Sequence, residues 1–127
     1  MRLTPFARVD AVDFDTTPVG LLAALGPPRE RRRNPAALDE WDYVHTVFRF
    51  QDSGRLEEVT RQAPVLHIGP VAVPFGSLEG FVLGQDPEAF RRAGFLVSPR
   101  FGLAFVPDEP AWVTALARHC IETWRRL

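Results

Sequence analysis

A chain of 127 residues, 46% apolar and 11% aromatic, can bury roughly two thirds of the surface its unfolded form exposes, which argues against disorder and predicts one domain over residues 1–127. Fifteen basic against sixteen acidic residues leave a net charge of −1, so no global field draws the chain to nucleic acid or to an anionic membrane. The single cysteine, Cys120, excludes an internal disulfide; with no apolar leader and no run of about 18 apolar residues, a cytoplasmic protein is expected.

In chain order, Leu3 to Phe14 alternates loosely at Phe6, Val9, Val12 and Phe14 and reads as an extended edge segment. Thr17 is placed to cap a helix that has Pro18 in its first position and Val19, Leu21, Leu22 and Leu25 as apolar face; Gly26, Pro27 and Pro28 stop it. Arg29 to Leu38 is a charge run expected as a solvated loop. All fifteen cations are arginine, which the codon usage of a GC-rich genome explains without selected chemistry.

Trp41 to Phe50 reads as a strand with Val44, Thr46, Phe48 and Phe50 on its core face, Gln51 to Gly54 as a tight turn, and Arg55 to Arg61 as the returning strand. Pro64 to Phe75 reads as two short strands or one bent one, interrupted at Gly69 and Pro70. Ser77 is placed to cap a short helix through Leu83, and Asp86 with Pro87 opens another helical turn up to Arg92. Phe95 to Val97 and Phe101 to Val106 make a hairpin around Ser98, Pro99 and Arg100. From Asp108 onward, Trp112, Leu116, Cys120, Trp124 and Leu127 recur at helical spacing, predicting a long terminal helix that docks on the sheet. The expected class is α+β: an antiparallel sheet of about five or six strands between Tyr43 and Val106, with the N-terminal and C-terminal helices on one face.

No catalytic motif interrupts these elements. His45, His67 and His119 lack HxH, HExxH or CxxC company, so each reads as structural, and metal binding would need convergence that spacing does not show. His119 and Cys120 are adjacent, but neighbours on a helix point about 100° apart and cannot share a proton, so Cys120 reads as a small core residue. The segment Gly76 to Gly80 lacks the order of a nucleophile elbow, and the scattered glycines make no phosphate loop; no cofactor or metal is expected. Phe48, Arg49 and Phe50 alternate as core and surface, unlike an RNA-binding sheet. Asp39, Glu40 and Asp42 can meet Glu57 and Glu58 across the hairpin as an acidic edge, either blunting that edge or meeting a basic protein partner, with Trp41 and Tyr43 as anchors.

The order of helix, Leu25-Gly26-Pro27-Pro28, Trp41-Asp42-Tyr43, Phe48-Arg49-Phe50 and Gly54-Arg55-Leu56 resembles the helix-and-meander half-module of the outer-membrane assembly lipoprotein BamE and of β-lactamase-inhibitor-like domains, over about a third of the chain. Its compact layout is also similar to immunity proteins of bacterial toxin systems and to uncharacterised bacterial proteins. The resemblance implies a binding scaffold and assigns no functional residue. The function expected is a non-enzymatic protein-binding module, foremost an immunity-type inhibitor of a bacterial toxin. The alternatives are an accessory or self-associating structural protein, or a small hydrolase or isomerase built from His45 or His67 with Asp42 or Glu58.

Overall fold

The computed structural model describes residues 1–127. The chain opens with three short strands, Arg2–Thr4 (β1), Arg8–Val9 (β2) and Val12–Asp13 (β3), followed by helix Pro18–Leu25 (α1). Four strands come next: Glu30–Arg33 (β4), Asp39–Asp42 (β5), Thr46–Phe50 (β6) and Leu56–Gln62 (β7). Val65–Ile68 (β8) and Val71–Pro74 (β9) lead into helix Phe75–Gln85 (α2). The chain ends with Phe90–Arg92 (β10), Phe95–Ser98 (β11), Leu103–Phe105 (β12), Trp112–Leu116 (β13) and helix Cys120–Arg125 (α3).

Two sheets result. One has the order β3-β2-β1-β8-β9, with β1 and β8 parallel; the other has the order β10-β11-β12-β13-β7-β6-β5-β4 and is antiparallel throughout. Leu3, Val9, Leu66 and Val73 of the first sheet share a core with Trp41, Phe48, Phe50, Val59, Leu103, Phe105 and Val113 of the second, joined by Leu21 of α1 and by Leu78 and Val82 of α2. A second cluster lies on the opposite face of the eight-stranded sheet. There Val97, Ala104 and Leu116 meet Cys120 and Ile121 of α3, with Phe95 and Trp124 at its margin. Consecutive strand residues divide between the two clusters, Leu96 from Val97, Leu103 from Ala104 and Ala115 from Leu116, as the two-residue period of a strand requires.

The mostly β, sandwich-like architecture overturns the expected α+β class with its five- or six-stranded sheet and long docked terminal helix. The largest error lies at the C-terminus. Trp112 to Leu116 pairs with β7 residue by residue, from Trp112 opposite Gln62 to Leu116 opposite Glu58. Because Val113 and Ala115 face the main core while Leu116 meets α3, WVTAL carries apolar residues on both sides, and such a run fits helical spacing as well as strand. Helix is left only for Cys120–Arg125. Within the run expected as a solvated loop, Glu30–Arg33 is a strand paired with Asp39–Asp42, exposed along its length, and a turn follows it.

The predicted Trp41–Phe50 strand breaks at Tyr43 to His45. The Asp42 carboxylate takes the Val44 amide at 2.7 Å, the Tyr43 amide reaches the Thr46 carbonyl at 2.8 Å, and Val44 turns outward at φ 81°. Asp86 does the same further on: it holds the Glu88 amide at 2.9 Å, and a strand follows where helix was expected. Helix α2 starts at Phe75, so Ser77 lies inside it and caps nothing. The α1 cap, by contrast, is as read: Thr17 Oγ1 accepts from the Gly20 amide at 3.1 Å, and Gly26 closes the helix at φ 76°. The hairpins β6-β7, β8-β9 and β11-β12 also form where the turn residues placed them. No helix is long and apolar enough to cross a membrane.

Candidate functional site

Of the predicted acidic edge, Asp39, Glu40 and Asp42 form a ladder of ion pairs, and Glu57 and Glu58 stand apart from it. Arginines of the β4 segment lie along β5: Arg29 reaches Asp42 at 2.8 Å, Arg31 reaches Asp39 at 2.9 Å, and Arg32 reaches Glu40 at 3.0 Å, while Arg49 of β6 meets Glu40 from the other side at 2.5 Å. Burial opposes ionisation of Glu40, but the bonds from Arg49 and Arg32 outweigh it and hold its carboxyl below the ordinary range. The Val44 amide, then Arg29, does the same for Asp42. Trp41 is 4% exposed, packs edge-on against Phe50 and donates its indole N–H to Asp39 at 3.1 Å. Half-buried Tyr43 donates its hydroxyl to the Gly26 carbonyl at 2.9 Å. Trp41, Glu40 and Asp42, expected as exposed anchors and charges, are therefore buried and already engaged.

The outer face of the eight-stranded sheet carries a different surface. A cleft of about 310 Å³ opens beside α3, with Arg49, Glu58, Thr60 and Thr114 among its polar lining and Phe95, Val106, Trp112 and Trp124 as its apolar lining; Glu109 stands at it as well. Strand alternation aims these polar side chains outward, whereas Phe48, Val59 and Val113 between them point into the core. Arg49 donates to Thr60 at 2.6 Å and Thr60 shares a hydrogen bond with Thr114 at 2.8 Å, so a polar row from Glu40 crosses four strands. Glu58 lies opposite Arg49 in register yet makes no ion pair. Burial pushes its carboxyl above the ordinary range, and the charges of Glu57 and Glu40 add to this against the partial offset of Arg49.

Glu57, its neighbour in sequence, serves elsewhere because of a bulge. Phe50 pairs with Leu56 and Arg49 with Glu58, which leaves Glu57 as the extra residue. Its carboxylate turns toward the start of α3, where Oε2 accepts from the Cys120 thiol at 2.6 Å and lies 2.7 Å from His119 Nε2. The Cys120 sulfur also lies 3.3 Å from the Glu57 carbonyl. Burial, reinforced by the Glu57 carboxylate, drives the thiol far above its ordinary value. A second cleft, of about 260 Å³, reaches this cluster and shares Glu58 and Trp124 with the first.

His45, in the turn before β6, and His67, in β8, do not assemble the sites expected of them. Exposed His45 bonds Gln62 at 2.9 Å, while Asp42 is taken by Arg29 and the Val44 amide. His67 lines a shallow groove with Asp10 and Arg2. The histidine that meets a carboxylate is His119. Sequence spacing held no sign of this, since Glu57 lies 62 residues away. His119 precedes α3 and does not lie within a helix as expected; it and Cys120, the first residue of α3, both meet the same oxygen of Glu57.

No protein-family model, no curated protein and no solved structure matches the chain.

Proposed function

We propose that the chain is a protein-binding module that receives a cationic side chain of its partner in the outer cleft of the eight-stranded sheet. The observation that carries this reading is Glu58: a half-buried carboxylate without an ion pair, in a cleft also lined by Trp112, Trp124 and Glu109. Arg49 offsets Glu58 only in part, because it bonds Glu40 and Thr60 and makes no ion pair with Glu58. An arginine or lysine entering between the indoles would give Glu58 its counter-ion and gain aromatic contact, within about 6 Å of a ring, in a partly desolvated setting. An inhibitor of the immunity type works in this way, since it needs a complementary surface and no reaction of its own.

Calorimetric titration with a tri-arginine peptide tests the reading. The expected result is saturable binding that weakens with salt and drops at least ~10-fold in both Glu58→Gln and Trp112→Ala, with Val44→Ser unaffected. Affinity purification with wild type and Glu58→Arg as paired baits extends the test to natural partners. Tri-arginine binding that is absent, or equal in wild type and Glu58→Gln, would refute the cleft as the recognition site.

A further inference from the structure

We propose that Glu57, His119 and Cys120 form a binding site for a transition-metal dication of the zinc class. One carboxylate oxygen, one imidazole nitrogen and one thiol sulfur lie within 4.8 Å of one another. A second observation is independent of this spacing: Glu57 Oε1 is buried and has no hydrogen-bond partner, on a side chain only 8% exposed. The Arg55 guanidinium stands 3.6 Å from that oxygen, beyond hydrogen-bond reach. A buried carboxylate oxygen without a donor is costly, and a cation held by Glu57 would lower that cost through the charge it brings to the same carboxylate.

The donor set selects the class of ion. Thiolate with imidazole favours zinc, cobalt and their neighbours over magnesium or calcium, which take oxygen ligands. Three protein ligands leave a fourth tetrahedral position for water, on the side where His119 is one third exposed. The contacts of 2.6 and 2.7 Å at Glu57 Oε2 must widen toward the ~3.3–3.7 Å between ligand atoms that tetrahedral metal bonds imply, which is side-chain adjustment and not refolding. The charges also balance. The dication displaces the thiol proton to solvent, and one thiolate with one carboxylate cancels its two charges; nothing is oxidised or reduced.

Cobalt(II), then zinc, titrated into the reduced, metal-free full chain provides the test. Expected are one equivalent bound, a thiolate-to-cobalt charge-transfer band with the intense visible bands of tetrahedral coordination, and their loss when zinc displaces cobalt. Cys120→Ser should abolish the charge-transfer band, and His119→Ala should weaken cobalt binding at least ~10-fold. Should Cys120→Ser fail to fold, His119→Ala decides the matter, because that side chain lies at the surface. Absence of the charge-transfer band in wild type, its persistence in folded Cys120→Ser, or unchanged affinity in His119→Ala would each overturn the site.

Discussion

Replacing Trp41 by alanine should cost about 3.5–6 kcal/mol, a large part of the ~5–15 kcal/mol that holds an ordinary domain together. The estimate starts from truncation of a large buried aromatic, about 3–5 kcal/mol. Trp41 meets that condition, at 4% exposure in the main core and in edge contact with Phe50. The Arg31 guanidinium lies 4.5 Å from the ring centre, and its loss adds roughly 0.5–1 kcal/mol at an exposed site. Asp39 would keep its pair with Arg31 and is not stranded. Trp112 supplies the internal control: it is 36% exposed on the outer cleft, so its truncation should cost only about 1–2 kcal/mol. Urea unfolding followed by circular dichroism, with both variants fitted at the wild-type slope, measures the two. A Trp41→Ala loss below about 2 kcal/mol, or a larger loss in Trp112→Ala, would mean that the sheet does not bury the side on which Trp41 lies.

Three further outcomes are expected. Asp86 is buried and accepts from the Ser98 hydroxyl at 2.7 Å, the Arg100 amide at 3.0 Å and the Glu88 amide at 2.9 Å; Asp86→Ala should cost about 3–4 kcal/mol and Asp86→Asn visibly less, read by thermal unfolding. Gly80 sits on the exposed side of α2, with nothing within 4 Å of an added Cβ, so Gly80→Ala should stabilise by roughly 0.5–1 kcal/mol; a lower melting temperature would contradict the helix or its exposure. For Glu58 the folded carboxyl lies above its ordinary value of 4.5, so its contribution to stability is full below that value and is lost as pH rises through the folded one. Glu58→Gln should accordingly gain stability over wild type at pH 8 and lose that advantage in acid; urea curves at both ends would refute this if the variant were the less stable at pH 8.

Local chemistry was legible where a residue's role is fixed by its immediate neighbours. Thr17, Pro18 and Gly26 bound α1, and Gly69 with Pro70 turns one hairpin, because caps and turns act within a few residues. The sandwich was not legible, for a related reason. Apolar residues on both sides of Trp112 to Leu116 reflect burial on two faces, and a five-residue run of that kind carries no period that separates strand from helix. Nor did the charges of Glu30–Arg33 mark a strand, since they answer the carboxylates of β5 across the ladder and not a periodicity within their own segment. Cross-strand pairing of this sort also hid the fate of the acidic edge: Asp39, Glu40 and Asp42 look free in sequence and are taken in space.

The two candidate sites owe their separation to one residue of strand register. In an unbroken ladder Glu57 and Glu58 would alternate strictly between the core side and the outer side, and a carboxylate aimed into the main core would have no counter-charge. The bulge at Glu57 redirects it toward His119 and Cys120, while Glu58 keeps its place opposite Arg49 on the outer face. Helix α3 reaches both carboxylates: its first residue, Cys120, meets Glu57, and Trp124 lines both clefts beside Glu58. A helix this short has little stability of its own and holds its place through Cys120, Ile121 and Trp124 against the sheet. Its packing thus fixes the aromatic wall of the outer cleft, and the same packing fixes where the thiol and imidazole stand around Glu57.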